Sequence, residues 1–148
     1  METLVQELCD WIRDKANKAK AEGVVFGLSG GIDSAVVAAL SIKVFPKNTL
    51  AIIMPCYNLE TDTDDAMDLI NKFNVSYKII DLSKVYDSFI YLLKDKEKEK
   101  EESFKLADAN VKPRLRMITL YYFANKLNYL VVGTGNKSEL MIGYFTFR

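Results

Sequence analysis

At 148 residues, with Lys+Arg and Asp+Glu at 20 each, the chain suits one domain with a core of its own. Zero net charge gives no global attraction to nucleic acid or to an anionic membrane, so neither is an expected partner. Histidine is absent, which excludes Ser-His-Asp and Cys-His catalysis and every histidine-ligated metal site.

Taken in chain order, Leu4, Val5, Leu8, Trp11, Ile12, Ala16 and Ala19 recur at helical spacing. They predict a helix over 3–21, ended by Gly23. Val24 to Leu28 is a short apolar run, read as a buried strand. A helix from Ala35 to Val44, closed by Pro46, leads to a second strand over 49–54, followed by Pro55. Thr61 and Asp64 have the spacing of a capping box opening a helix to about Phe73. A third strand over 76–82 and a helix over 83–93 follow. Lys94 to Glu102 then alternates in charge and holds nothing apolar, as a solvated helix face or a loop would. A long helix over 110–128 and a fourth strand, "YLVVGTG" over 129–135, come next.

Strands alternating with helices predict the α/β class: a doubly wound parallel sheet with helices on both faces. Its strands read as continuous apolar runs, as doubly covered strands do. Ligands of such sheets bind beyond the carboxyl ends of the strands. The unusual residues fall there, over 29–34, 55–58 and 133–139. The cysteines, Cys9 and Cys56, form no CxxC pair, so zinc has little support and a reducing compartment fits. No leader peptide precedes the first amphipathic segment and no apolar run reaches ~18 residues, so the cytoplasm is the expected location.

The most informative stretch is "GLSGGIDS", Gly27 to Ser34. Gly30 and Gly31 let the backbone turn sharply and approach a ligand. The helix that follows offers unpaired N–H groups and partial positive charge, which bind oxyanions. Ser29 and Ser34 can add hydroxyls. Asp33 would repel a phosphate unless Mg²⁺ bridged the two, and Mg²⁺ is therefore the expected ion. Neither a Walker A loop nor G-x-G-x-x-G is present.

Ser-Gly-Gly-x-Asp-Ser after a strand resembles the PP-loop of the N-type ATP pyrophosphatases, of the adenine nucleotide alpha-hydrolase-like fold. Three more stretches narrow the likeness. They are Asn110-Val111-Lys112-x-Arg114-x-Arg116-Met117, the run from Gly133 to Glu139, and Gly143-Tyr144-Phe145-Thr146. Together they resemble the ammonia-dependent NAD⁺ synthetases over nearly the whole chain. The resemblance implies ATP-dependent amidation of deamido-NAD⁺ to NAD⁺ through an adenylated nicotinate, with ammonia as the amide donor and AMP and pyrophosphate released. It implies that Gly27, Leu28, Ser29, Gly30, Gly31, Ile32, Asp33, Ser34 and Thr134 hold ATP. Arg114 would bind deamido-NAD⁺, and Asp33 and Glu139 would hold Mg²⁺. No residue is implied as a general acid or base. The family is homodimeric. The helix over 110–128, apolar on nearly every side, is the candidate contact.

The resemblance also has an edge. The family pattern continues past Thr146 into a lysine, a Gly-Asp-Gly-Gly stretch and a long carboxyl-terminal segment. Here Phe147 takes the lysine position and the sequence stops at Arg148. The expectation is a single domain over 1–148, carboxyl-terminally short, whose turnover is open. Two alternatives stand beside it: a nucleotide-binding or dimerising fragment without catalysis, and another PP-loop ligase that forms AMP.

Overall fold

The computed structural model describes residues 2–57, 60–93 and 101–133. The elements in chain order are α1 (Glu2–Lys18), β1 (Gly23–Gly27), α2 (Ile32–Val44), β2 (Thr49–Ile53) and α3 (Glu60–Phe73). They continue with β3 (Ser76–Ile79), α4 (Ser83–Leu93), α5 (Glu101–Leu127) and β4 (Tyr129–Val131). Among the described residues the strands form one parallel sheet in the order β3-β2-β1-β4.

The two central strands, β1 and β2, carry apolar side chains on both faces. In β1 and the residue after it, Phe26 and Leu28 face one side and Val25 the other; in β2, Ala51 and Ile53 oppose Leu50 and Ile52. Each face collects a cluster, because successive strand side chains point to opposite sides. The first takes Ala38 from α2 with Ala66 and Ile70 from α3. The second takes Leu82, at the entry to α4, and Ala124 from α5, with Tyr86, Leu115, Leu120 and Phe123 against it. Helices thus cover both faces, as expected. Fully burying a side chain such as Phe26 or Ile52 is worth about 1.5–3 kcal/mol. α1 buries Cys9, Ile12 and Ala16 and packs against α2.

Four expectations change. Gly23 does not end α1. The helix stops at Lys18, and Lys20, at φ 54°, makes the left-handed turn. Lys20 N donates to Asn17 O at 3.0 Å and Ala21 N to Ala16 O at 2.9 Å, the bond pair of a Schellman end. Gly23 instead opens β1, where the backbone leaves no room for a side chain. A Cβ there would lie 2.1 Å from Asn48 O and 2.8 Å from the Tyr129 ring.

The second change is β3, which is exposed throughout rather than doubly buried. Among the described residues it is an edge strand, with no strand beyond Tyr77 and Lys78. The third is α5, which begins at Glu101 rather than Asn110 and carries Pro113 inside it. The end of the charged run therefore joins the helix, and residues 94–100 of that run lie outside the described residues. α3 begins at Glu60, so Thr61 lies within the helix and not at its cap.

Candidate functional site

The chain runs β1, β2, β3 toward one edge, then returns to place β4 on the free side of β1. The strand order therefore reverses between β1 and β4, which is where open parallel sheets bind ligands. A cleft of about 490 Å³ lies there. Gly27 to Ser29 and Gly31 to Ser34 line it from β1 and the turn into α2. Ile53, Met54 and Pro55 line it from the end of β2, and Thr63 from α3. Arg116 and Leu120 line it from α5, and Val132 and Gly133 from the end of β4.

The turn has a defined internal bonding. Gly30 sits at φ 81°, a conformation that suits glycine. Gly31 precedes α2 with φ −72° and ψ 157°, and no side chain caps the helix. The Ser34 hydroxyl, 3% exposed as a residue, donates to Gly31 O at 2.8 Å and accepts from Ser29 N at 3.3 Å. Gly31 N donates to Ser29 Oγ at 3.4 Å, and the two serine hydroxyls lie 3.3 Å apart. Ser34 thus staples the turn from within. Ala35 N is already bonded to Gly31 O, whereas the first N–H groups of α2 have no acceptor within the helix. About half a positive charge gathers at such an end. The result is a preformed oxyanion cradle facing the cleft.

Asp33 is exposed in the first turn of α2 and lines the same cleft. Among the described residues no three acidic or thiol side chains converge into a metal cage. One carboxylate beside a phosphate cradle fits Mg²⁺ nonetheless, because that ion usually takes one or two protein carboxylates plus substrate phosphate oxygens.

On the opposite wall, Arg116 Nε donates to Met54 O at 3.2 Å. Arg114 behaves differently. It is exposed, does not line the cleft, and its Nη1 donates to Asn110 O at 2.7 Å on its own helix. Helical phase explains the split, since two residues at ~100° each put Arg114 and Arg116 on nearly opposite sides.

The sequence profile of the family described as NAD synthase matches residues 4–147. The chain belongs to the NAD synthase family. It is 50% identical over 145 residues to the NH(3)-dependent NAD(+) synthetase of Carboxydothermus hydrogenoformans, a match covering 98% of this chain and 59% of that protein. It superposes on the NH3-dependent NAD synthetase from Campylobacter jejuni, solved with the nitrate ion, at a TM-score of 0.86 and 36% identity, covering 98% of this chain and 61% of that one. The NMN synthetase from Francisella tularensis gives a TM-score of 0.88 at 36% identity, with 98% and 58% covered. The chain thus spans less than two thirds of the length of these relatives.

Of the residues expected at an NAD synthase site, Gly27, Leu28, Ser29, Gly31, Ile32, Asp33 and Ser34 line one cleft, with Gly30 at its corner. Arg114 stands apart from it. Thr134 and Glu139 lie outside the described residues, although β1 and β4, the strands leading toward Asp33 and Glu139, are neighbours. The expectations did not include Thr63, Leu120 or Arg116 in the cleft. Arg116 had a usable signal: it shares a helix face with Leu120, one turn on.

Proposed function

We propose that this NAD synthase family chain binds ATP in the cleft between β1 and β4 and belongs to an ammonia-dependent NAD⁺ synthase, an AMP-forming ligase of NAD biosynthesis. The observation that carries the reading is the turn over 29–34. An uncapped helix end, a left-handed glycine and one carboxylate face a cleft whose far wall holds Arg116. The chain acts in this reading as one PP-loop unit over 1–148.

The α2 N–H groups would take the β- and γ-phosphates, with Gly27 to Ser34 along them and Thr134 also against ATP. Asp33 and Glu139 would hold Mg²⁺, which when bound neutralises charge on the phosphate oxygens. Arg116 would place positive charge near the phosphates from the opposite wall. Arg114, outside the cleft, suits the acid dinucleotide deamido-NAD⁺, whose carboxylate and phosphates match a guanidinium. The nicotinate carboxylate attacks the α-phosphorus, the bond to the β-phosphate breaks, and pyrophosphate leaves. Ammonia then attacks the acyl carbon, AMP leaves with the bonding pair, and the excess proton passes to solvent. This chemistry asks a site for positioning and electrostatics, which a chain without histidine can offer.

A homodimer through the 110–128 helix belongs to the same reading. Ile118, Tyr121 and Tyr122 are 61%, 49% and 59% exposed in the single chain, an apolar face that a second copy would cover. Sedimentation at low micromolar concentration tests it: a dimer is expected, and monomer alone contradicts it. Cytoplasmic location is inferred from Cys9 and Cys56, both buried as thiols. Among the described residues no helix is long and apolar enough to cross a membrane.

A second substrate reading rests on the likeness to NMN synthetase, in which the acid mononucleotide takes the place of the dinucleotide. One assay separates the readings: AMP, pyrophosphate and amide product followed together with ATP, ammonium and either acid. NAD⁺ formation with equal AMP supports the first, and NMN formation alone supports the second. ATP binding without AMP favours a non-catalytic nucleotide-binding module.

A further inference from the structure

The segment just after β2 is held along its length. Ile80 N donates to Ile53 O and Leu82 N to Pro55 O, each at 2.9 Å. Arg116 Nε donates to Met54 O at 3.2 Å. Cys56 is 1% exposed beneath them. The last residue of the segment is Tyr57, at φ 59°, a conformation rare for a bulky side chain. Such a residue persists only where its surroundings fix it.

Its surroundings do so. The Tyr57 hydroxyl donates to Asp87 Oδ2 on α4. Its ring meets Tyr86 edge to face at 6.2 Å. The Lys112 ammonium on α5 lies 5.6 Å from the Tyr57 ring centre and 5.3 Å from that of Tyr86, within cation–π range. Lys112 and Arg116 are one helical turn apart, so α5 grips both ends of the segment over 54–57. The contact with Asp87 also pushes the Tyr57 phenol up to about 12.

These contacts do little for the core. Tyr57 is 60% exposed, while Cys56 and Leu82 below it are already buried. They act at the carboxyl edge of the sheet, where Pro55, two residues before Tyr57, lines the cleft. We propose that Tyr57 is a positioning residue: with Asp87, Tyr86 and Lys112 it clamps the corner after β2 and so fixes Pro55 in the wall of the nucleotide cleft. This rests on the reading of that cleft as the ATP site.

The test is calorimetric titration of the full chain with ATP·Mg²⁺ and, separately, with inorganic pyrophosphate, which the turn over 29–34 and Arg116 hold without Pro55. Tyr57→Gly accepts the left-handed backbone and deletes the clamp; Tyr57→Phe and Asp87→Ala delete the hydroxyl contact from either side. Tyr57→Gly is expected to weaken ATP about ten-fold, and the other two about three-fold each. Combining Tyr57→Phe with Asp87→Ala in one chain is expected to be no worse than either substitution alone. Pyrophosphate affinity and the melting temperature stay at wild-type values. Wild-type ATP affinity in Tyr57→Gly overturns the inference, and so does an equal loss for ATP and pyrophosphate. If the wild-type chain binds no ATP, the reading of the cleft fails first and the inference with it.

Discussion

Arg116 reaches across 62 residues of sequence to hydrogen-bond the backbone oxygen of Met54, Nε to O at 3.2 Å. The bond joins α5 to the end of β2 and leaves a guanidinium in the wall of the cleft. Arg116→Met keeps the stem and deletes the charge. ATP affinity is expected to fall about ten-fold, or ~1.4 kcal/mol. Titration calorimetry checks this, and unchanged affinity means the guanidinium does not serve the nucleotide.

Ser34 staples the turn by donating to Gly31 O and accepting from Ser29 N. Ser34→Ala removes both bonds in a buried place and is expected to cost about 1–3 kcal/mol of stability. Phosphate binding weakens with it, because the cradle loses its fixed shape. Urea unfolding and ATP titration on one preparation check the two effects together.

Gly23 has no room for a side chain. A methyl group there would overlap Asn48 O, and Asn48 O also accepts from Val24 N at 2.9 Å. Neither backbone can yield without loosening the start of β1. Gly23→Ala is therefore expected to cost about 3 kcal/mol, the upper end of overpacking. Gly133→Ala is the control, since among the described residues nothing lies within 4 Å of a Cβ there. Chemical denaturation of the two variants side by side checks the contrast.

Asp81 accepts from Ser83 N at 2.8 Å at the entry to α4. The bonds from Ser83 hold its carboxyl below the ordinary 3.8. A carboxylate with a lowered folded-state value stabilises the fold above its unfolded value and loses that contribution as pH falls through the folded one. The wild-type chain should therefore lose stability relative to Asp81→Ala as pH drops below about 4, with the gap constant from about pH 5 to 7. Thermal melts of both proteins across that range and down to about pH 3 check it.

How far the sequence could carry this picture depends on where each signal lies. The turn over 29–34 was legible because local chemistry writes it: glycines, hydroxyls and an acid between an apolar strand and a helix. The apolar runs of β1 and β2 were legible for the same reason, since burial on both faces leaves no polar position. β3 misled although Ser76 and Lys78 break its apolar character: those two polar positions fit an edge strand, and only the strand order shows that it is one. The end of α1 misled because a lysine took the left-handed turn that glycine usually marks. Arg116 and Thr63 enter the cleft through the order of the strands and the phase of two helices, which no local window carries. Tyr57 was hidden more deeply, because its role depends on Asp87 and Lys112, both far along the chain from it.

The central claim is that the turn over 29–34 receives the phosphates of a magnesium-bound nucleotide. The direct measurement is a crystal structure of the chain grown with ATP and Mg²⁺, paired with ATP titration of Asp33→Ala. The account predicts phosphate oxygens on the α2 N–H groups, the ion on Asp33, and loss of Mg²⁺-dependent affinity in the variant. Nucleotide bound away from this turn, or a variant that binds ATP·Mg²⁺ as tightly as the wild type, would contradict it.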